Sequence, residues 1–166
     1  MGYGVVRTDN MTATDVRKEL VSVRYQPDGV NAAVENGNVV RLDGLETGSR
    51  EVYKGVVPTA ADDIRDVVLV ASPEVNYDER KRNLDEFRNE AGSIARGYHL
   101  VTNDIFSVTK DALDGSASPA VGDVVELKAG TKLNVVSELT EGSTQVGSII
   151  DVNIVGRYTY YVIKVC

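Results

Sequence analysis

Tryptophan is absent from this chain of 166 residues, phenylalanine occurs only as Phe87 and Phe106, and cysteine and histidine occur once each. Each shortage excludes something. The lone cysteine, Cys166, cannot form a disulfide within the chain, and a thiol at a fraying end without a fixed base is a poorly placed nucleophile. The lone histidine, His99, sits between Tyr98 and Leu100 in a run of strand character. With no second imidazole and no mid-chain thiol to build a zinc site or a Cys/His pair, a structural role is expected for it. No G-x-S-x-G elbow marks a nucleophilic serine. Gly2-Tyr3-Gly4 lacks the third glycine of a dinucleotide fingerprint, and no glycine-rich loop ends in Lys-Ser or Lys-Thr. Apolar runs fall short of the ~20 residues of a membrane helix, and residues 1–10 lack the charged start and apolar centre of a signal peptide. The expectation is a soluble product made in the cytoplasm.

Positive charge is also scarce: 18 Lys and Arg stand against 25 Asp and Glu, for a net charge of -7. Sequence-independent nucleic-acid binding draws its affinity from cations that neutralise phosphates, so neither nucleic acid nor an anionic membrane is an expected partner. Among the acids, Asp62, Asp63 and Asp66 invite a calcium reading, with Asp78 and Glu79 as additions. Their spacing does not match the twelve-residue calcium loop, which needs Gly at its sixth position and a bidentate Glu at its end. A solvated acidic loop is the expectation, with no metal and no cofactor. Paired carboxylates for glycoside hydrolysis must stand ~5 to 9.5 Å apart in a cleft, and nothing in the spacing supplies that geometry. A non-enzyme is therefore expected, and a hydrolase with hidden carboxylates is a remote third reading.

What the chain does have is valine. Its apolar content of 42% comes mainly from Val, Ala, Leu and Ile, and eight Tyr supply most of the aromatics. Branched Cβ atoms are restricted in helices and pack well on a pleated face. Strands are expected over residues 20–25, 51–57, 67–71, 94–100, 104–110, 123–127, 132–137, 145–152 and 157–165. They are separated by Pro27-Asp28-Gly29, Asp43-Gly44, Pro58, Pro73, Thr102-Asn103, Ala129-Gly130, Glu141-Gly142-Ser143 and Gly156. Asn36-Gly37 between Ala33-Val34 and Val39-Val40 predicts a tight hairpin, because both turn residues tolerate positive φ. The fold class implied is mainly β: a small antiparallel barrel or sandwich with an extended N-terminal arm and one short helix. The arm is placed at 1–19 and a single β-rich domain at 20–166, with a candidate sub-boundary near 114–119. Tyr158, Tyr160 and Tyr161 invite a sugar-groove reading, yet alternation puts Tyr161 on the opposite face from the other two, and barrel packing explains them as well.

One stretch departs from this pattern. Residues 76–100 hold five acids (Asp78, Glu79, Asp85, Glu86, Glu90) and five bases (Arg80, Lys81, Arg82, Arg88, Arg96), a neutral island in an acidic chain. Tyr77, Leu84, Phe87, Ala91 and Ile94 are spaced to share one helical face, which predicts the short helix over 79–90. Three asparagines of the stretch, Asn76, Asn83 and Asn89, oppose it, and the competing reading is a long ordered loop beside a strand.

Several of these strings together resemble the capsid decoration, or auxiliary head, proteins of tailed bacteriophages. They are Gly2-Tyr3-Gly4 with Arg7-Thr8-Asp9-Asn10, Glu35-Asn36-Gly37-Asn38-Val39-Val40, Ala71-Ser72-Pro73-Glu74 with Tyr77-Asp78-Glu79-Arg80, the 83–92 block, and Gly156-Arg157-Tyr158-Thr159-Tyr160. The resemblance implies a β-rich domain, often with an extended arm, that binds the outer surface of the shell and stabilises the mature capsid in the virion. It implies the major capsid protein as partner, with self-association as a homotrimer among the known arrangements. On that reading Arg80, Lys81, Arg82 and Arg88 are expected to make polar capsid contacts, with Tyr77 and Phe87 as apolar anchors. The alternatives are that Phe87 and Leu84 close the protein's own core, and that the chain is a carbohydrate- or host-surface-binding β module.

Overall fold

The computed structural model describes residues 2–166 and is mainly β, with twelve strands. Five of them close a small barrel in the order β2 (Leu20–Tyr25), β4 (Val52–Val56), β3 (Val39–Leu45), β5 (Val67–Val70), β6 (Ala95–His99). All neighbouring pairs in the barrel are antiparallel except β2 with β4. The other seven form a sheet in the order β1 (Val6–Asn10), β7 (Ile105–Thr109), β12 (Tyr158–Val165), β11 (Gln145–Val155), β9 (Val124–Glu126), β10 (Leu133–Val136), β8 (Leu113–Gly115). Nearly every strand expected from the sequence is present. β8 was not expected, since its residues fall at the start of a Gly/Ser/Pro link, and it gains its place by pairing parallel to β10.

The barrel is narrow, and its contents explain the missing large aromatics. Its interior is filled by Val23, Val40, Val68, Val70 and Ala95, with Val34 also in the cluster. Where valines already fill the bore, the strands carry glycine. A Cβ on Gly97 would lie 2.9 Å from a methyl of Val68 and 3.1 Å from one of Val21. One on Gly55 would lie 2.7 Å from a methyl of Val23. The second core lies between the barrel wall and the seven-stranded sheet. Val39, Val67, Leu69, Tyr98 and Leu100 of the barrel meet Phe106, Val108, Leu127, Leu133, Ile149 and Ile163 of the sheet. β5 serves both cores: Val68 and Val70 point into the bore, Val67 and Leu69 toward the sheet, and all four are fully buried. A strand covered on both faces reads as a continuous apolar run, as Val67-Val68-Leu69-Val70 does.

Two local expectations are corrected. The short α-helix lies at Thr12–Asp15; residues 79–90 contain only a single 3-10 turn at Leu84–Glu86. Here the charges pair two residues apart, Asp78 with Arg80 and Arg88 with Glu90, instead of four apart as on a helix. Asp85 and Asn89 also bond to distant parts of the fold, which an isolated helix would not allow. The Asn36-Gly37 turn exists, with φ of 83° at Gly37, but it makes no hairpin. Val34 pairs with Asn89, and Val39 with Leu69 of β5. The segment expected as an N-terminal arm lies along the body: β1 pairs antiparallel with β7, and Val5, Val6, Met11 and Ala13 are buried.

Glu126 is the one fully buried carboxylate among the largest core side chains. Burial pushes its pKa up, yet the net shift is downward, because the carboxylate accepts from the Thr140 N–H (2.9 Å), the Asn134 amide (2.8 Å) and the Thr140 hydroxyl (2.8 Å). It ties β9 to β10 and to the loop that follows.

Two outcomes follow from these contacts. Gly97→Ala should lower stability by about 1 to 3 kcal/mol in denaturant titration, and combining it with Val68→Ala should recover part of the loss by reopening the bore. For Glu126 the folded-state pKa lies below the unfolded one. Its stabilisation is thus present above the unfolded value of about 4.3 and disappears as pH falls through the folded value. Glu126→Gln should cost about 1 to 3 kcal/mol at neutral pH, since one oxygen becomes a donor facing a donor. It should also flatten the stability-versus-pH curve below about pH 4.3.

Candidate docking surface

Residues 71–94 leave the barrel at the end of β5 and return to it at the start of β6, two strands that are paired neighbours through Val70 and Gly97. The excursion is a strap held down at three places. At its start, the buried Asn36 side chain accepts from the Ser72 N–H (3.0 Å) and donates to the Ser72 carbonyl (2.8 Å). Near its end, Asn89 exchanges backbone hydrogen bonds with Val34, and its amide donates to the Val34 carbonyl (3.1 Å) and the Asn36 side-chain oxygen (3.2 Å). Asn36 therefore fastens both ends of the strap at once. In the middle, the Asp85 carboxylate accepts from the Tyr158 hydroxyl (3.0 Å) and Arg157 (3.2 Å), and its carbonyl accepts from the Tyr3 N–H (2.8 Å).

Fixed in this way, the strap presents its charges outward. Tyr77 is 99% exposed and touches little of its own chain. Arg80 is exposed and hydrogen-bonded to Asp78 at 3.0 Å, a contact that holds the Asp78 carboxyl below its ordinary range. Lys81 and Arg82 are exposed; among the described residues neither forms an ion pair, and Arg82 spends its Nε on the Glu79 carbonyl. Arg88 pairs with Glu90 at 3.0 Å, lowering the Glu90 pKa through that hydrogen bond, and lies 5.3 Å over the Tyr3 ring. The structure thus separates the six residues singled out by sequence. Tyr77, Arg80, Lys81 and Arg82 project into solvent, whereas Phe87 and Arg88 are half-buried against the body. Leu84 and Ile94 remain exposed and do not form one apolar stripe with Phe87.

Between the strap and the barrel runs an open groove of about 720 Å³. Val75 and Ile94 flank it with Tyr53 and Leu20, and Arg17 and Arg96 supply cations. The sequence carried no signal for it, because its lining comes from four separated segments.

The other candidates are occupied. Asp62 accepts from the Thr59 N–H (2.7 Å) and faces Arg41 at 3.5 Å. The Asp63 carboxyl is held at about 2, chiefly by its side-chain hydrogen bond from Arg65. Among the described residues no group of three or more His, Cys, Asp or Glu is placed to hold a metal ion. His99 lies in β6 opposite Val68, and Cys166 is exposed; both border a cavity of about 580 Å³. The three tyrosines do not form a free row. Tyr158 is bonded to Asp85, Tyr160 is buried beneath the Arg7 guanidinium at 4.0 Å, and Tyr161 packs against the main core. No helix among the described residues is long and apolar enough to cross a membrane. No protein-family model, curated protein or solved structure matches this chain.

Asp85→Ala should free the middle of the strap at a cost of about 1 to 2 kcal/mol in global stability. Hydrogen exchange provides the sharper check: amides of residues 77–88 should lose protection while those of β5 and β6 keep it.

Proposed function

We propose that this chain is a structural virion protein that binds the outer surface of a tailed-phage capsid through its strap and stabilises the mature shell. The observation that carries this reading is a charged segment held on a rigid body with its cations turned outward. A closed barrel and a sheet fused through a common core make a stiff block, and the strap is its largest irregular excursion. Tyr77, Lys81 and Arg82 lie on that excursion without engagement elsewhere in the described fold. A side chain so exposed is the kind that becomes buried when a partner arrives, and Tyr and Arg are enriched among residues that dominate interfaces. The net charge of -7 suits the outside of a shell, away from packaged nucleic acid.

Mechanistically, a protein that binds the expanded shell and not its precursor stabilises the former by mass action, and a shell offers many equivalent sites. Lys81 and Arg82 would steer the approach and set the register on an acidic surface, while Tyr77 supplies buried area. Phe87 and Arg88 act at one remove, since their partial burial fixes the shape of the strap beneath the contact. A glycan-binding reading is less well supported, because Tyr158 and Tyr160 are engaged by Asp85 and Arg7.

The test is binding to purified mature heads. The chain should be present in intact virions and should rebind expanded shells; virions that lack it would remove the reading. Lys81→Glu with Arg82→Glu leaves every ion pair of the fold untouched, and should reduce occupancy at limiting protein by about 2- to 10-fold, with the difference shrinking at high salt. Unchanged occupancy would take the strap out of the interface.

A further inference from the structure

Strand β11 outruns its neighbour. On one side it pairs with β12 as far as Val155, but on the other its pairing with β9 ends at Ser148, followed by exchange between Ile149 and the Gly122–Asp123 turn. From Ile150 to Val155 that outer edge has no strand beside it among the described residues. An unpaired edge is a template for strand addition, which proteins usually blunt with lysine or proline. This one carries neither; it reads Ile-Asp-Val-Asn-Ile-Val, and Ile150, Val152, Ile154 and Val155 are all exposed, Ile154 at 74%. One bulge, between Ile149 and Asp151, is the only irregularity along it.

We propose that this edge pairs with the same edge of a second copy of the chain, antiparallel about a two-fold axis at Val152. The occupant is specified by the sequence of the edge itself. Read outward from Val152 in either direction, residues 150–154 give the same order: polar neighbour, then isoleucine. With Val152 opposite Val152, Ile150 meets Ile154 of the second copy, and Asp151 meets Asn153. Asp151, whose Oδ1 accepts from the Val152 N–H (2.9 Å), then faces a carboxamide that can donate to its other oxygen, and no like charges stand directly opposite each other. Other centres are worse. Pairing about Asp151 sets two carboxylates directly opposite each other, which is destabilising, and pairing about Asn153 sets Asp151 against Val155.

The sheet behind the axis is broad. Val152 pairs with Tyr161 of β12, Tyr161 with Val108 of β7 and Val108 with Val6 of β1, so each copy brings four strands to the axis and the joined sheet is eight strands wide there. The symmetry is closed: each copy contributes the same edge, the edges are consumed, and association stops at two. The bulge at Ile150 shortens the ladder, so the dimer is a weak one that high local concentration would favour. This inference does not rest on the capsid reading, and its failure would leave that reading standing.

Sedimentation velocity on the full chain tests it, over concentrations on the order of 10 μM to 1 mM. The wild type should shift from monomer to dimer across that range. Val152→Asp and Val152→Lys, each placing like charges at the axis, should each remain monomeric with unchanged circular dichroism, their apparent affinity reduced at least tenfold. Mixing the two variants in equal amounts should restore a dimer. A wild type that stays monomeric, a Val152→Asp variant that still dimerises or forms a larger species, or a mixture that fails to associate would each overturn the proposal.

Discussion

Burial of β5 on both faces is the constraint from which the rest of the fold follows. Val68 and Val70 fill the barrel while Val67 and Leu69 seal the barrel against the large sheet, so one four-residue strand belongs to two cores. Fully burying each such side chain contributes about 1.5 to 3 kcal/mol, and here the contributions cannot be separated between barrel and sheet. The bore is correspondingly tight. Gly55 and Gly97 stand where any side chain would strike a valine, which is why the chain is rich in small branched residues and has no tryptophan.

Around this apolar axis, a few polar side chains decide how the irregular segments lie. Asn36 bonds to Ser72 at one end of the strap and to Asn89 at the other, inside a buried environment where an unsatisfied amide would be costly. Gly4 and Gly37 allow the Asn36 turn to approach Ala112, since a Cβ on either would lie within 2.9 Å of the Ala112 methyl. Asp85 then secures the middle of the strap to β12 and to the N-terminal segment. The result is a long loop with a defined shape, which separates the exposed charges of Lys81 and Arg82 from the half-buried Phe87.

The strand edge at 150–155 is a different kind of surface. The strap offers charge and one exposed ring; the edge offers backbone hydrogen bonds and branched apolar side chains. The two are joined at Tyr158, which pairs with Val155 at the end of the edge and donates its hydroxyl to Asp85 in the middle of the strap. On a repetitive shell, a capsid contact through the strap and a pairing of copies through the edge would reinforce each other through effective concentration.

How far the sequence reached can be seen in particular elements. The strand at Leu20–Tyr25, which lies in the barrel, and most of those after Thr102-Asn103, which lie in the seven-stranded sheet, were legible because alternation and turn residues are local signals. β8 was hidden, since three residues ending in glycine become a strand only when β10 lies alongside. The expected helix over 79–90 failed for the same reason in reverse: its spacing favoured a helix, but Asp85 and Asn89 gain more from partners more than 50 residues away. Asn36-Gly37 was correctly read as a turn and wrongly as a hairpin, because the two segments it joins found other strands to pair with. The charges of the strap were visible from the start, whereas their division into outward and half-buried sets was not. By itself the sequence determined the β-rich class, most strand positions and the composition of a narrow core, all of which depend on neighbours along the chain. Which strands pair, where the strap is anchored and which edge stays open were decided only in the tertiary structure, because hydrogen bonding and burial there join residues that the chain keeps far apart.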